Sequence, residues 1–199
     1  MSVIYLLRHG QTEWNVAGRI QGANDSPLTA TGIAQAEAVG ALLKRLIVEP
    51  VELALVSSPQ GRAWRTAEIV GTPLGLTPRR EPRLVEVTTG SWDGMTLAEI
   101  DAAYPGALDG ARFGRSFRSP DGESYERARA RVSDWLATVT APTIAVSHGL
   151  TGRMLRGVYA GLSQDDTLRQ PEPQDGVYRL AGGRVEFIPA EAVDSVIRR

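Results

Sequence analysis

The chain has 199 residues, of which 42% are hydrophobic and 23% charged, with a formal net charge of −1 at pH 7 and no cysteine. This length supports one sizeable core and is short for two, so a single domain over residues 1–199 is expected. Near-neutral charge gives no reason to expect nucleic acid or an anionic membrane as partner, and the missing cysteines exclude disulfides, thiolate catalysis and Cys-ligated zinc. Lys44 is the only lysine, so the remaining cations are arginines, planar and permanently charged forks suited to phosphate or carboxylate. No apolar run approaches membrane-spanning length, and a first strand beginning at Val3 leaves no room for a signal peptide, so a cytoplasmic protein is expected.

Val3-Ile4-Tyr5-Leu6-Leu7 reads as a strand buried on both faces, and it stops abruptly at Arg8-His9-Gly10. Polar residues at the carboxyl end of such a strand lie where open α/β sheets place ligands. A polar connection follows, from Gln11 through Asn15 to Gln21-Gly22, and then a turn at Asp25-Ser26-Pro27-Leu28. Thr29 or Thr31 caps a helix whose apolar stripe is Ile33, Ala36, Val39, Leu42, Leu43 and Leu46, ordinary core spacing. Leu53-Ala54-Leu55-Val56 reads as a second buried strand. After it, Ser58 fits an N-cap and Pro59 the first helical position, where a missing N–H costs nothing. Arg62 then lies in the first turn of that helix. Helix electrostatics alone would prefer an acid there, so a cation beside free N–H groups suggests an anion site.

Gly71 is a plausible stop for this helix, and residues 77–84 hold a short strand. Residues 84–94, with Glu86, Gly90 and Gly94, form a loop; 96–104 reads as a short helix ending before Pro105. The polar stretch 105–122 looks like a flap, and its Arg112, Arg115 and Arg118 are read as solvated. A long helix then runs to about Val139, with Val132, Trp135, Leu136 and Val139 inward. Thr143-Ile144-Ala145-Val146-Ser147 repeats the first construction and stops at His148-Gly149. His9 and His148 are the only histidines, and each follows a buried strand and precedes a glycine. A helix to about Tyr159, a loose segment over 163–175 and an antiparallel hairpin over Val177–Leu180 and Val185–Ile188 close the chain. The alternation predicts an α/β three-layer sandwich, with helices on both faces of a mostly parallel central sheet.

In this order the segments resemble the histidine phosphatase superfamily, the fold shared by cofactor-dependent phosphoglycerate mutases and many small phosphatases. Leu6-Leu7-Arg8-His9-Gly10-Gln11-Thr12-Glu13-Trp14-Asn15 is similar to its amino-terminal signature, and Asp25-Ser26-Pro27-Leu28-Thr29 to the segment after it. Ser57-Ser58-Pro59 with Arg62-Ala63 and Thr66-Ala67 resembles its second helix start. Leu84, Glu86, Gly90, Trp92 and Gly94 resemble its acidic loop, and Gly122-Glu123-Ser124 and Ser147-His148-Gly149 complete the match. Asp93 departs from the more usual Glu but lies outside the chemical core.

The resemblance implies a nucleophilic His9, a phosphate pocket of Arg8, Arg62, Asn15 and His148, and a proton donor at Glu86. The catalytic set is thus His9, Glu86 and His148, with Gln21 and Gly22 as substrate-binding candidates. A phosphoryl group carries charge on three equatorial oxygens, which paired guanidinium donors can match without a metal or other cofactor. Nearby cations also keep the nucleophilic imidazole neutral. Glu86 must carry a proton near neutrality, so a desolvated seat in a closed loop is expected for it. The implied substrate is a small phosphorylated metabolite, and the implied reaction is hydrolysis of a phosphomonoester. Mutases of this family are generally longer, with an insertion carrying extra basic residues after the acidic loop, and at 199 residues this chain is read as lacking it, so a phosphatase is preferred to a mutase. A catalytically silent phosphate-binding protein and a two-histidine metal site are weaker readings. The oligomeric state stays open, a homodimer included.

Overall fold

In a computed structural model of the chain, residues 2–47, 52–110 and 113–190 are described. Six strands build one sheet: β1 (Ile4–Arg8), β2 (Ala54–Ser57), β3 (Arg79–Arg80), β4 (Thr143–Ser147), β5 (Gly176–Ala181) and β6 (Arg184–Pro189). Their spatial order is β3-β2-β4-β1-β5-β6, and the first four in that order run parallel. β5 pairs antiparallel with β1, and β6 with β5, as the closing hairpin predicts. The helices are α1 (Glu13–Val16), α2 (Ala30–Leu46), α3 (Gly61–Gly71), α4 (Leu97–Ala103), α5 (Tyr125–Ala137), α6 (Gly149–Ala160) and α7 (Gln164–Arg169).

Successive side chains of a strand point to opposite faces, and β1 divides its residues accordingly. Tyr5 and Leu7 pack with Ala36, Val39 and Leu43 of α2 and with Ala63, Ala67 and Val70 of α3. Ile4 and Leu6 pack with Val132, Trp135 and Leu136 of α5 and with Met154 and Leu155 of α6. Two helical layers therefore enclose the sheet, the expected sandwich.

Several local expectations need correction. Ile33 and Leu46 are exposed, at 37% and 38%, not part of the buried stripe. The inward face of α2 keeps Ala36, Val39, Leu42 and Leu43 and adds Gly32 and Gly40, and its small residues draw the helix close to its neighbours. A Cβ on Gly10 would stand 2.2 Å from the Gly32 carbonyl oxygen, so the turn after β1 and the start of α2 touch backbone to backbone. Ser58 does not cap α3 and Pro59 is not its first residue, since the helix begins at Gly61 after Gln60. The Ser58 hydroxyl bonds His148, 2.8 Å away, and accepts only the Gln60 N–H ahead of the helix, whose first N–H groups go to Asp25. The segment 163–175 is only partly loose, since Ser163 caps α7 within it. The described residues of 105–122 form turns and a short 3₁₀ turn at Arg115–Arg118, with Arg118 bonded to the Ala107 and Asp109 carbonyls. Arg112 lies outside the described residues.

Candidate active site

Parallel pairing brings the two histidines together. Arg8 is in register with Ser147, and the His9 N–H reaches the Ser147 carbonyl at 3.0 Å. The next residue on each strand is therefore a histidine, at the carboxyl ends of two adjacent strands. Their rings lie 5.2 Å apart, and both are buried. Ser58 arrives beside them from the end of β2, through its N–H on the Val146 carbonyl.

The hydrogen bonds of His9 define its tautomer. Nδ1 is 2.8 Å from the Gly10 carbonyl oxygen, which can only accept, so Nδ1 carries the proton. Nε2 receives the Nε–H of Arg62 at 3.3 Å, so a lone pair sits there. Burial, then the charges of Arg8 and Arg62, hold the imidazole well below its usual pKa, against a smaller upward pull from the Gly10 carbonyl. The ring is neutral, with an unprotonated nitrogen facing the guanidinium. His148 is likewise held well below the usual value, mainly by burial and then by Arg62, His9, Arg8 and Arg131.

Arg62 is locked in place. Its Nη1 donates to the Asn24 carbonyl at 2.6 Å and to Asp25 at 3.1 Å, and its Nη2 donates to the Gly22 carbonyl at 3.0 Å. Asp25 also receives the N–H groups of Gly61 and Arg62, so this distant carboxylate caps α3 and steers its arginine at once. An acid at a helix amino end is favoured by the helix dipole, which accounts for the helix start lacking a cap of its own.

Arg8, His9, Asn15, Gln21, Gly22, Arg62 and Glu86 surround one cavity of ≈170 Å³, with Arg19, Thr89, Ser116 and Glu172 also in its wall. The structure thus gathers every singled-out residue except His148 around one space. His148 stands behind His9, turned to Ser58, and lines a small neighbouring hollow with Arg8 and Gly149. A roomier cleft of ≈420 Å³ shares Glu86, but no histidine lines it.

Glu86 is half-buried. Its carboxylate accepts the N–H groups of Val87, Leu150 and Thr151 and the Thr151 hydroxyl, between 2.9 and 3.1 Å. It is docked on the amino end of α6, among backbone donors. Arg131 holds the loop carrying it, donating to the Arg83 and Val85 carbonyls and pairing with Glu123 at 2.7 Å.

The sequence did not mark Glu172, and it set Asp93 outside the chemical core, yet both shape this site. Asp93 accepts from Ala23 N–H, Thr88 Oγ1, and the N–H and hydroxyl of Thr89, tying the 88–89 wall to the 22–23 wall. Gly22 has φ +50°, and a Cβ there would meet the Asp93 carboxylate at 1.7 Å. Arg19, although in the wall, is engaged by both carboxylate oxygens of Glu99. Glu172 lies 2.8 Å from Arg153 and 3.7 Å from Arg8. Nothing in a segment read as loose marks Glu172, whereas Asp25 at least belongs to a recognisable turn. Among the described residues no three His, Cys, Asp or Glu side chains gather as a metal site would require, and no helix is long and apolar enough to cross a membrane.

Residues 4–185 match the family model of the histidine phosphatase superfamily, branch 1. The chain belongs to that superfamily. The expected family and sandwich fold are both confirmed. Among superfamily relatives, a probable phosphoglycerate mutase GpmB of Proteus mirabilis is 36% identical over 171 residues, covering 81% of this chain and 76% of the relative. Glucosyl-3-phosphoglycerate phosphatase of Mycobacterium tuberculosis is 36% identical over 159 residues, covering 73% of this chain and 70% of that protein. In structure, a mycobacterial glucosyl-3-phosphoglycerate phosphatase in complex with VO3 superposes with a TM-score of 0.77 at 29% identity, over 95% of this chain and 97% of the other. Bacillus stearothermophilus YhfR superposes with a TM-score of 0.79 at 30% identity, over 95% and 96%.

Proposed function

We propose that this superfamily member is a phosphomonoester hydrolase that acts on a small phosphorylated metabolite through a phosphohistidine at His9. The observation that carries the reading is the unprotonated Nε2 of His9, held by its Nδ1–H bond to Gly10 and facing Arg62 in the wall of a cationic cavity. The Arg62 Nε–H turns from Nε2 to a phosphoryl oxygen, the freed Nε2 lone pair attacks phosphorus as the P–O ester bond breaks, and the ring proton stays on Nδ1, bonded to the Gly10 carbonyl oxygen. The leaving alkoxide takes a proton from Glu86. Glu86 then removes a proton from water, which attacks phosphorus as the P–N bond breaks, and His9 returns neutral. Three of the four donors meet Oε1 and only the Leu150 N–H meets Oε2, so Oε2 is the oxygen that carries the proton in the acid role. Arg8 and Arg62, with Asn15, meet the phosphoryl oxygens, where losing one such donor costs a factor on the order of a hundred to a thousand in rate.

Hydrolysis is favoured over transfer because the stretch between Gly90 and Gly122 holds, among its described residues, one short helix, α4, and turns. It carries no added helical layer over the pocket, and the one further arginine in the wall, Arg19, is already paired with Glu99. The relatives' names divide between mutase and phosphatase, and both concern phosphorylated glycerate chemistry.

Rapid quench with a ³²P-labelled substrate is expected to give an acid-labile, base-stable phosphoprotein that is absent in His9→Ala. Label persisting in that variant overturns the assignment. Turnover is expected to survive EDTA, since arginines supply the charge; a strict need for added divalent metal would contradict this. With 3-phosphoglycerate and bisphosphoglycerate present, inorganic phosphate is expected to outpace 2-phosphoglycerate, and the reverse result would select the mutase reading.

A further inference from the structure

The strap 170–175, between α7 and β5, is pinned against the cavity from both sides. Arg156 Nη2 donates to the Pro171 carbonyl at 2.7 Å, and Arg8 Nη1 to the Glu172 carbonyl at 2.8 Å. From this strap Gln174 extends its side-chain nitrogen to the His9 carbonyl at 2.9 Å and to Asn15 Oδ1 at 3.2 Å.

Neither amide can be turned around. The His9 carbonyl only accepts, so the nitrogen of Gln174 must face it. The Thr12 N–H only donates, at 3.0 Å, so the Asn15 atom it meets must be oxygen. The Thr12 side chain in turn accepts the Asn15 N–H, which closes the capping box of α1. With Oδ1 holding both Thr12 and Gln174, the NH₂ end of Asn15 is the one left to the cavity that Asn15 lines.

We propose that Gln174 is a positioning residue: by donating to Asn15 Oδ1 and to the His9 carbonyl, it makes Asn15 present donors to a bound phosphoryl group and steadies the backbone of the nucleophile. The proposal rests on the phosphate-pocket reading above. It assigns a role to a strap that the chemistry otherwise leaves unused.

The test uses orthovanadate as the anion probe, with its dissociation constant measured by calorimetry on the whole protein. Gln174→Ala and Gln174→Met, the latter of similar length but without a donor, are expected to weaken vanadate about tenfold, the scale of one hydrogen bond. In an Asn15→Ala background Gln174→Met is expected to cost vanadate binding much less than it does alone, because most of the loss passes through Asn15. The same loss of about tenfold persisting without Asn15 would overturn the proposal. Gln174→Met supplies the loss-of-donor measurement if Gln174→Ala fails to fold. Failure of the unsubstituted protein to bind vanadate or release phosphate would overturn the phosphatase reading and this one with it. Normal wild-type binding with no Gln174 effect would overturn this one alone.

Discussion

At the scale of single residues, chemistry here depends on which atoms are already occupied. His9 keeps its proton on Nδ1, which a carbonyl holds, and its Nε2 lone pair attacks once the Arg62 Nε–H leaves it for a phosphoryl oxygen. Glu86 divides its partners unevenly, with two N–H groups and a hydroxyl on Oε1 and one N–H on Oε2, so only Oε2 has room for the proton an acid must deliver. A carboxylate so well supplied with donors fits a brace equally well, which makes its role worth isolating. If Glu86 protonates the leaving oxygen, its value depends on how badly that oxygen needs a proton. Glu86→Gln is expected to lower single-turnover rates by about a hundredfold or more with alkyl phosphates, the usual scale of general acid catalysis. With p-nitrophenyl phosphate, whose phenolate leaves unaided, the loss should be much smaller. Equal losses on both substrates would leave Glu86 as a brace between its loop and the start of α6, and the acid would have to be sought elsewhere.

At the scale of elements, α3 carries Arg62 but does not secure its own amino end. Asp25 does so from the connection after α1, taking the Gly61 and Arg62 N–H groups and one Arg62 nitrogen. Asp25→Ala removes cap and ion pair together and is expected to cost about 1 kcal/mol of stability, the usual value of an N-cap. Asp25→Asn keeps a capping oxygen and should recover most of that in urea titrations while kcat/KM stays low, because Arg62 loses its charged partner. Full recovery of kcat/KM by Asp25→Asn would show that the cap alone matters. This element also shows how far local sequence reading reaches. The strands ending at His9 and His148 are legible because a buried apolar run stops at a polar residue, and their parallel pairing then places the site. Ser58 and Pro59 mimic a helix start convincingly, yet the Ser58 hydroxyl is claimed by His148, a residue 90 positions away. Gln174 and Glu172 act through the same kind of long-range contact from a strap with no periodicity, so nothing local marks them. Asp93 reads as a minor departure beside a glycine, although in three dimensions it ties two walls of the cavity.

At the scale of the whole molecule, burying two neutral histidines beside arginines couples the fold to pH. Both imidazoles are held well below their ordinary value, foremost by burial. In the unfolded chain they return to about 6.5. Below that pH the unfolded state binds protons that the native state refuses, so stability rises with pH in this window and is lost as the medium is acidified through it. The carboxylates with lowered values, Glu81, Glu99 and Asp121, lose their favourable contacts only further into acid, below the ordinary carboxylate range of about 4. Between pH 6 and 5 the histidine pair should therefore dominate. Each contributes a slope approaching about 1.4 kcal/mol per pH unit, so urea-derived stability should fall with a slope approaching two protons. His148→Gln should reduce that slope to about one proton, whatever its effect on stability at pH 7.5. The same depression keeps the His9 lone pair free in mild acid, so the single-turnover rate of phosphoenzyme formation should show no loss with a midpoint near 6.5. Stability that stays flat from pH 7.5 to 5 would mean that the buried rings take up protons in the native state, and the neutral nucleophile would have to be abandoned with it.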